Sequence, residues 1–423
     1  MTTTNSGDWT RLLGSSSSDY GRALTTGSDG SIYISGWTTG DLDGQTNSGG
    51  TRDVFISKYK PDGTKEWTRL LGTSGSDYGY ALTTGSDGSI YISGFTSGDL
   101  DGQINNGGKD TFISKYNPDG TKEWTKLLGT AEEDEGYALT TGSDGSIYIA
   151  GVTRGDLDGQ INNGERDAFI SKYNSDGTKE WTKLLGTSLR DQGGALTTGS
   201  DGSIYISGLT RGDLDGQTNN GTQDAFISKY NPDGTKEWTR LVGSSVQGNG
   251  STLTTGSDGS IYVAGYSKNG QYGNDFDATI SKYDSDGTKE WTRFILSTTS
   301  SMEDAEALVT GIDGSIYIAG FTQIIGDRDS RDIFISKYNP NPTDIALSES
   351  SFNENIDAAS AVATLSTTDV DASDSHTYTL VSGTGDTDNA SFTIDGSNLK
   401  INSSPDYETK SSYSVRLKTT DSG

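Results

Sequence analysis

An internal repeat of about 57 residues constrains this sequence more than any other feature. An Asp-Gly pair recurs with its aspartate at intervals of 58, 57, 57, 57 and 55 residues, and a tryptophan keeps nearly the same spacing. The aspartates are Asp29, Asp87, Asp144, Asp201, Asp258 and Asp313, and the tryptophans are Trp9, Trp67, Trp124, Trp181, Trp238 and Trp291. A regular period of this length is typical of β-propellers and of solenoids. The chain is therefore expected to consist of copies of one supersecondary unit.

Each repeat contains four short runs that are typical of β-strands. In the second repeat these are residues 80–84, 89–93, 111–116 and 122–128, which are rich in β-branched and aromatic side chains. Asp87-Gly88 joins the first two runs, and Asp119-Gly120 joins the last two. Asp-Gly pairs favour hairpin turns because these turns need positive φ angles, which glycine adopts without steric cost. Four antiparallel strands per repeat predict a propeller blade.

The two ends of the repeat array predict the number of blades. The last repeat ends at Tyr338 without its fourth run, whereas the chain opens with an additional fourth run at residues 8–13. Pairing of this N-terminal run with the last repeat would complete six blades and remove an unpaired sheet edge. The predicted fold is therefore all-β, with a six-bladed β-propeller over residues 8–340 that is closed by the N-terminal strand. A solenoid stays open as the alternative.

The repeat resembles the bacterial β-propeller repeats known as SBBP repeats. The resemblance covers residues 8–340 and depends on the motifs Asp-Gly-Ser-Ile-Tyr-Ile-Ser-Gly and Asp-x-Phe-Ile-Ser-Lys-Tyr-Asn-x-Asp-Gly-Thr. It implies the propeller fold. It implies no particular activity, because the family has no common one.

Charge and hydropathy restrict the partners of the protein. The net charge is −27, from 59 acidic and 32 basic residues, so the surface should repel nucleic acids and anionic membranes and attract cations. No apolar run approaches the roughly 20 residues that a membrane-spanning helix needs, so membrane insertion is not expected. The first residues lack the basic end and the apolar stretch of a secretory signal peptide.

Catalysis is not expected. The repeats contain no His and no Cys, which excludes histidine-based triads, thiol nucleophiles and ordinary zinc sites. The first four repeats are also nearly interchangeable, whereas an active site needs one unique set of residues. Hydrolysis by carboxylates alone stays open.

The long loops between the second and third runs contain candidate calcium ligands. Asp-Leu-Asp-Gly-Gln recurs four times in these loops and is followed each time by an asparagine. Carboxylate and amide oxygens around a turn glycine suit calcium, which takes six to eight oxygen ligands. The predicted ligands are Asp41, Asp43, Asn47, Asp99, Asp101, Asn105, Asp156, Asp158, Asn162, Asp213, Asp215 and Asn219. The alternative is an Asx-turn loop whose carboxylates face water.

A second acidic series precedes the first run of four repeats: Asp19, Asp77, Asp134 and Asp191. These residues are expected on the same face as the long loops, nearer the central channel. They would either bind cations or cap loop backbone, and we favour capping. The recurring tryptophan is expected to pack between blades, and Trp37, outside that series, is the better candidate for an exposed aromatic.

Residues 341–423 differ in composition and predict a second domain. Runs at residues 361–365, 377–381, 391–394 and 413–417 are typical of a small β-sandwich. The motifs Asn353-Glu-Asn355, Asp369-Val-Asp371, Asp406-Tyr-Glu408 and Thr420-Asp-Ser-Gly423 resemble, in this order, a cadherin-type repeat of bacterial surface proteins. The last strand of such a repeat would lie beyond Gly423, so an incomplete, truncated cadherin-like sandwich is expected.

The cadherin resemblance implies two groups of calcium ligands. Glu354, Asp406 and Glu408 would bind Ca²⁺ at one end of the domain, and Asp369, Asp371 and Asp421 would bind it at the other end. The alternative is that these are solvated strand ends.

These observations predict a non-catalytic, calcium-binding adhesion or scaffold module at an extracellular or cell-surface location. Its cofactor would be Ca²⁺, and its partner a cell-surface protein or a polysaccharide. A multivalent carbohydrate-binding propeller is the alternative. A polysaccharide-cleaving enzyme is a third, less favoured hypothesis.

Overall fold

The computed structural model describes residues 9–242, 247–256, 258–268, 276–296, 301–311, 314–324, 330–338, 344–368 and 375–421. The chain divides into two compact units, residues 1–308 with 319–335 and residues 309–318 with 336–423. The predicted domain boundary between residues 340 and 341 lies outside the described residues.

The first five repeats each form one four-stranded antiparallel sheet whose strands follow sequence order. The strands of the first three sheets are β1 (Asp19–Thr26), β2 (Ile32–Thr38), β3 (Asp53–Tyr59), β4 (Lys65–Leu71), β5 (Asp77–Thr84), β6 (Ile90–Thr96), β7 (Asp110–Tyr116), β8 (Lys122–Leu128), β9 (Asp134–Thr141), β10 (Ile147–Thr153), β11 (Asp167–Tyr173) and β12 (Lys179–Leu185). Those of the fourth and fifth are β13 (Asp191–Thr198), β14 (Ile204–Thr210), β15 (Asp224–Tyr230), β16 (Lys236–Leu241), β17 (Gln247–Thr255), β18 (Ile261–Lys268), β19 (Asp277–Tyr283) and β20 (Lys289–Leu296). The sixth repeat forms a three-stranded sheet of β21 (Ser301–Thr310), β22 (Ile316–Ile324) and β23 (Asp332–Tyr338).

Asp-Gly turns produce the hairpins of each sheet. Gly88, between β5 and β6, and Gly120, between β7 and β8, both have a φ of 81°. The Asp87 carboxylate accepts hydrogen bonds from the backbone amide and the hydroxyl of Ser89, at 3.0 and 2.9 Å, which fixes the turn. The predicted four strands per repeat are therefore confirmed for the first five repeats.

The first strands of successive sheets lie side by side. β1, β5, β9, β13 and β17 contact one another in this order. The hydroxyl of Thr84 donates to the carbonyl of Thr26 at 3.1 Å, and Thr141 donates to Thr84 in the same way at 3.2 Å. Apolar side chains of neighbouring sheets, such as Ile56 and Ile92, share one buried cluster. This arrangement of repeated four-stranded sheets is that of a β-propeller, with each sheet as a blade.

The recurring tryptophan connects each of the first four blades to the next one. Trp67, on β4, donates its indole Nε1–H to the carbonyl of Pro118 in the second blade at 3.1 Å. Arg69 donates from Nε to the carbonyl of Gly120, at 3.0 Å, in the same turn. The later tryptophans repeat the indole contact: Trp124 with Ser175, Trp181 with Pro232 and Trp238 with Ser285.

The closing strand predicted at residues 8–13 is not paired with the last blade in the described part of the chain, so closure of the ring stays a prediction. Residues 9–18 include no strand, and β21–β23 is a three-stranded sheet in the part of the chain that the structure describes. Trp9 instead donates to the carbonyl of Pro61 at 2.8 Å, and Arg11 donates from Nε to the carbonyl of Gly63 at 2.9 Å. Side-chain contacts therefore hold this segment against the first blade without the backbone ladder that a strand needs.

The second unit contains two further sheets. A four-stranded sheet, in the order β24-β25-β28-β27, consists of β24 (Asp344–Leu347), β25 (Ala361–Thr368), β27 (Phe392–Asp395) and β28 (Asn398–Ile401). β26 (His376–Leu380) pairs with β29 (Leu417–Asp421), and one 3₁₀ turn covers Asn389–Ser391. Phe392, Leu399 and Ile401 of the first sheet pack with Leu380 and Leu417 of the second in one core.

The strand predicted at residues 413–417 was wrong in its position, because β29 begins only at Leu417. The backbone amide of Ser414 donates to the Asp388 carboxylate at 2.8 Å, and that of Arg416 donates to the side-chain oxygen of Asn389 at 2.9 Å. These two backbone amides therefore donate to side chains and not to the carbonyl groups of a neighbouring strand. Two further strands, β24 and β28, were not predicted from the sequence, and each is only four residues long.

Candidate functional site

The long loops between the second and third strands are built around a tight turn. In the second blade, Leu100 is buried and pairs with Gln103 in an isolated bridge, with Asp101 and Gly102 between them. Asp101 has a φ of 51° and Gly102 a φ of 76°, so both central residues are left-handed. Asp and Gly are the residues that adopt this conformation most readily, which explains the Leu-Asp-Gly-Gln motif.

The first aspartate of each loop closes the loop. Asp99 Oδ1 accepts the backbone amide of Asn105 at 2.9 Å, and Asn105 Oδ1 accepts the amide of Gly107 at 2.9 Å. The equivalent pairs in the other loops are Asp41 with Asn47, Asp156 with Asn162 and Asp213 with Asn219. These are the contacts expected from the alternative interpretation of the loop as an Asx-turn.

The second aspartate of each loop forms an ion pair with the fourth strand of its own blade. Asp43 contacts Lys65 Nζ, and the lysine together with the Thr68 hydroxyl lowers the pKa of Asp43. Asp101, Asp158 and Asp215 pair in the same way with Lys122, Lys179 and Lys236. The predicted loop ligands are therefore engaged by protein groups, and calcium binding by these loops stays a prediction.

Glu354, Asp406 and Glu408 do come together, as the cadherin resemblance implies. Their carboxylate oxygens lie within 4.8 Å of one another, and all three side chains are exposed. The backbone amide of Asn355, which has a φ of 57°, donates to the carbonyl of Pro405 at 2.9 Å and joins the two loops. This is the one group of three or more acidic or histidine side chains in the described ranges that could hold a metal ion.

Hydrogen bonds orient the carboxylates of this cluster. The amide of Tyr407 donates to Glu354 Oε2 at 3.2 Å, and the hydroxyl of Thr409 donates to Asp406 Oδ2 at 2.6 Å. The Thr409 hydrogen bond also lowers the pKa of Asp406, which favours the ionised ligand.

The second predicted group of calcium ligands is largely outside the described part of the chain. This applies to Asp369 and Asp371. Asp421 lies at the end of β29, opposite His376 in the β26–β29 ladder.

A series of buried aspartates was not predicted from the sequence. Asp53, Asp110, Asp167 and Asp224 are the first residues of the third strands, and each is at most 1% exposed. Burial raises the pKa of Asp110 and of Asp167 to about 6. An aspartate at the first position of the third strand in every repeat was the signal that could have revealed them.

Three of the four aspartates in the second acidic series are buried as well, whereas Asp19 is partly exposed. Asp77, Asp134 and Asp191 are 0% exposed, and burial raises the pKa of each carboxyl. Asp77 Oδ2 accepts the backbone amide of Thr73 at 2.7 Å, which is the loop-capping contact that the sequence favoured.

Trp37 is part of an aromatic row at the end of the blades that carries the long loops. It stacks on Tyr20 with ring centroids 4.2 Å apart and lies 5.7 Å from Tyr78. The Arg52 guanidinium covers Trp37 at 4.6 Å, so this tryptophan is partly buried, while Tyr20 is 53% exposed.

Comparisons with known proteins agree with the propeller fold. The family model described as SBBP, beta-propeller repeat, matches residues 8–43. The chain is 30% identical over 190 residues to the regulatory protein FlaEY of Caulobacter vibrioides, covering 40% of this chain and 20% of that protein. It is 24% identical over 314 residues to an uncharacterised WD repeat-containing protein of Acanthamoeba polyphaga mimivirus, covering 56% and 22%. The chain thus spans about a fifth of the length of these relatives.

Solved structures are similar in fold at low identity. The β-propeller domain of the Trilobed protease from Pyrococcus furiosus is 13% identical, with a TM-score of 0.44 and coverage of 78% of this chain and 82% of that chain. An α-L-arabinofuranosidase from Fusarium graminearum is 12% identical, with a TM-score of 0.43 and coverage of 78% and 96%.

The repeated blades and the family match define a β-propeller repeat protein similar to the SBBP type. None of the helices in the described residues combines the length and apolar character that crossing a membrane requires.

Proposed function

We propose that the protein is a non-catalytic, calcium-binding adhesion or scaffold module that works outside the cell or on its surface. The observation that supports this most is the cluster of Glu354, Asp406 and Glu408, whose oxygens are within 4.8 Å of one another. Three converging carboxylates suit Ca²⁺, which prefers oxygen ligands and accepts flexible geometry. The net charge of −27 adds a long-range attraction for cations.

The proposal includes a closed ring of six blades. The face of the first blade is open, since Leu24 is 65% exposed while Leu82, its counterpart in the second blade, is 8% exposed. On β23, Ile335 is 77% exposed, whereas the equivalent Ile113 is 2% exposed. Two apolar faces that are buried or partly buried in the other blades would cover each other in a ring closed by the N-terminal segment.

The proposal also assigns the second unit to the cadherin-like sandwiches. Its two sheets share one core, and its cluster of three carboxylates matches one predicted end of such a domain. A second calcium group at Asp369, Asp371 and Asp421 remains part of this proposal.

Calorimetric titration with CaCl₂ tests the calcium site. The full chain should bind Ca²⁺ at the cluster with a dissociation constant of roughly 0.1–1 mM, as extracellular calcium modules do. Neutralising the cluster with Glu354→Gln, Asp406→Asn and Glu408→Gln should remove one bound ion per chain. Glu349→Gln, which changes an exposed glutamate of the same unit, is the matched control and should leave binding unchanged. Equal calcium binding by the triple variant and the wild type would contradict the assignment.

Carbohydrate binding is the second candidate, and the aromatic row of Tyr20, Trp37 and Tyr78 favours it. Aromatic rings beside a cationic side chain provide a surface on which sugar rings can stack. A glycan array probed with the wild type and with Tyr20→Ala separates the possibilities. Loss of a glycan signal in the variant supports this candidate, and an array without signal counts against it.

A further inference from the structure

The junctions between the first four blades each place two buried aspartates next to each other. The backbone amide of Asp134, at the start of the third blade, donates to the carbonyl of Lys109 at 2.7 Å, and Lys109 forms a parallel bridge with Glu133. Residues opposite each other in a parallel bridge point to the same side, as do the residues that follow them. Asp110 and Asp134 therefore project side by side across the junction.

The same dipeptide touches both carboxylates. A methyl group on Gly129 would lie 2.2 Å from Asp110 Oδ1, so only glycine fits there. The next residue, Thr130, donates its amide to Asp134 Oδ2 at 2.6 Å. The two acids thus share one narrow, buried space at the end of the blades that carries the long loops.

This arrangement recurs at three junctions. The acid pairs are Asp53 with Asp77, Asp110 with Asp134 and Asp167 with Asp191, and the flanking dipeptides are Gly72-Thr73, Gly129-Thr130 and Gly186-Thr187. All six aspartates are 0% exposed. Since the contacts repeat in each case, the geometry belongs to the repeat and not to one loop.

Each pair has carboxylate oxygens that the protein leaves unsatisfied. Backbone amides donate hydrogen bonds to the Oδ2 atoms. The amide of Asn106 donates to Asp110 at 2.9 Å, and that of Asn163 donates to Asp167 at 2.9 Å. The Oδ1 atoms of Asp53, Asp110 and Asp167 are buried without a hydrogen-bond partner. Those of Asp134 and Asp191 also have no direct hydrogen bond, although the nearby Thr153 and Thr210 hydroxyls partly offset the rise in the pKa of these two carboxyls. Asp77 Oδ1 has only a 3.4 Å contact with the Thr73 hydroxyl. An unpaired buried acceptor is costly, and native structures usually give it a partner.

The basic side chains that directly precede Asp53, Asp110 and Asp167 in the chain have other partners. Lys109, directly before Asp110, pairs with Glu135 at 2.8 Å. Arg166, directly before Asp167, lies 3.5 Å from Glu133, and Arg52, directly before Asp53, covers Trp37. No lysine or arginine among the described residues forms an ion pair with these six carboxylates. Ionising two adjacent buried carboxylates is costly, and a countercharge lowers that cost.

We propose that each of the three junctions binds one divalent cation of the hard, oxygen-preferring kind, Ca²⁺ or Mg²⁺, between the Oδ1 atoms of its two aspartates. Two carboxylates neutralise one such ion, and both ions accept carboxylate oxygens together with water or carbonyl oxygens. Because each ion touches two blades, it would hold neighbouring blades together. This inference does not depend on the calcium site of the second unit.

The fourth junction provides a natural control. Asp224 has the same position as Asp110, and its Oδ1 is also buried without a hydrogen-bond partner. The fifth blade, however, has Gln-Gly-Asn at residues 247–249, where earlier blades have their first-strand aspartate. A site that needs two carboxylates is therefore expected at each of the first three junctions and not at the fourth.

Cation titration of the full chain carrying Glu354→Gln, Asp406→Asn and Glu408→Gln tests the proposal. Calorimetry with CaCl₂ or MgCl₂ measures the number of ions bound per chain, and the tighter of the two salts identifies the ion. Adding Asp110→Asn should reduce this number by one, whereas adding Asp224→Asn should leave it unchanged. An unchanged number after Asp110→Asn would overturn the proposal.

Thermal unfolding of the same triple variant covers the case in which Asp110→Asn does not fold. Excess cation should raise the unfolding temperature at pH 7.5 relative to chelator. If no cation binds, and the unfolding temperature rises as the pH falls from 7.5 to 5, the pairs are protonated carboxyls and the proposal is wrong. In that case a wild-type chain that still binds calcium leaves the proposed function intact, because its site lies in the second unit.

Discussion

Gly94 lies where the second strand of its blade passes closest to the first. A methyl group there would lie 1.7 Å from the carbonyl oxygen of Tyr78. The pairing register of β5 and β6 shifts between Gly79 and Ala81, and this bulge turns the Tyr78 carbonyl toward the neighbouring strand. Gly36, Gly151 and Gly208 have the same contact, with distances of 1.8 to 1.9 Å.

The substitution Gly94→Ala should therefore lower the free energy of unfolding by about 3 kcal/mol, because the obstacle is backbone of the same sheet. Chemical unfolding monitored by tryptophan fluorescence measures the change. Gly108→Ala is the matched control, since its methyl group would lie 3.6 Å from the flexible Glu133 side chain. It should change stability by less than about 0.5 kcal/mol. Similar effects of the two substitutions would contradict the assignment.

The fourth strand of each blade also binds the following blade, through its tryptophan. Trp124 packs against Tyr91 of its own blade, with ring centroids 6.1 Å apart, and donates to the carbonyl of Ser175 in the next blade at 3.2 Å. One side chain thus stabilises both the sheet and the junction.

Trp124→Phe keeps the ring and removes the hydrogen bond, so it should cost about 1 kcal/mol of stability. Trp124→Ala removes the ring as well and should cost about 3 kcal/mol. Thermal unfolding of the two variants beside the wild type separates the contributions. If both substitutions have equal cost, the hydrogen bond rather than the packing would carry the whole effect.

Closure of the ring is a property of the whole propeller. In the second and third blades the third and fourth strands pair Phe112 with Leu127 and Phe169 with Leu184. The equivalent residues at the two ends of the array are Phe334 on β23 and Leu12 in the N-terminal segment. In a closed ring these two residues would be direct neighbours, at a distance that a disulfide can bridge.

The double substitution Leu12→Cys with Phe334→Cys should therefore form an intramolecular disulfide under oxidising conditions. The wild-type chain has no cysteine, so no other disulfide can interfere. Mass spectrometry and non-reducing electrophoresis at low protein concentration detect the product, and each single substitution is a control. A disulfide-linked dimer would mean that a second copy supplies the strand, and absence of any disulfide would contradict closure.

Neighbouring residues along the chain specify the local structure of this protein. Asp-Gly pairs specify the hairpins through their φ angles, and alternating β-branched residues specify the strands. The repeat and its four strands could therefore be predicted from residues that are close together in the sequence. The resemblance to cadherin-type repeats also indicated that Glu354, Asp406 and Glu408 belong together, although 52 residues separate the first two.

Contacts between blades depend on how distant parts of the chain pack together. Asp110 and Asp134 are 24 residues apart, and only the parallel bridge at the junction places them side by side in a space without water-exposed surface. The same applies to Asp43, whose loop position suggested a calcium ligand while packing placed Lys65 beside it. Local sequence fixes backbone torsion angles. Burial and charge pairing depend instead on which distant segments come into contact, and local sequence patterns specify these tertiary contacts only weakly.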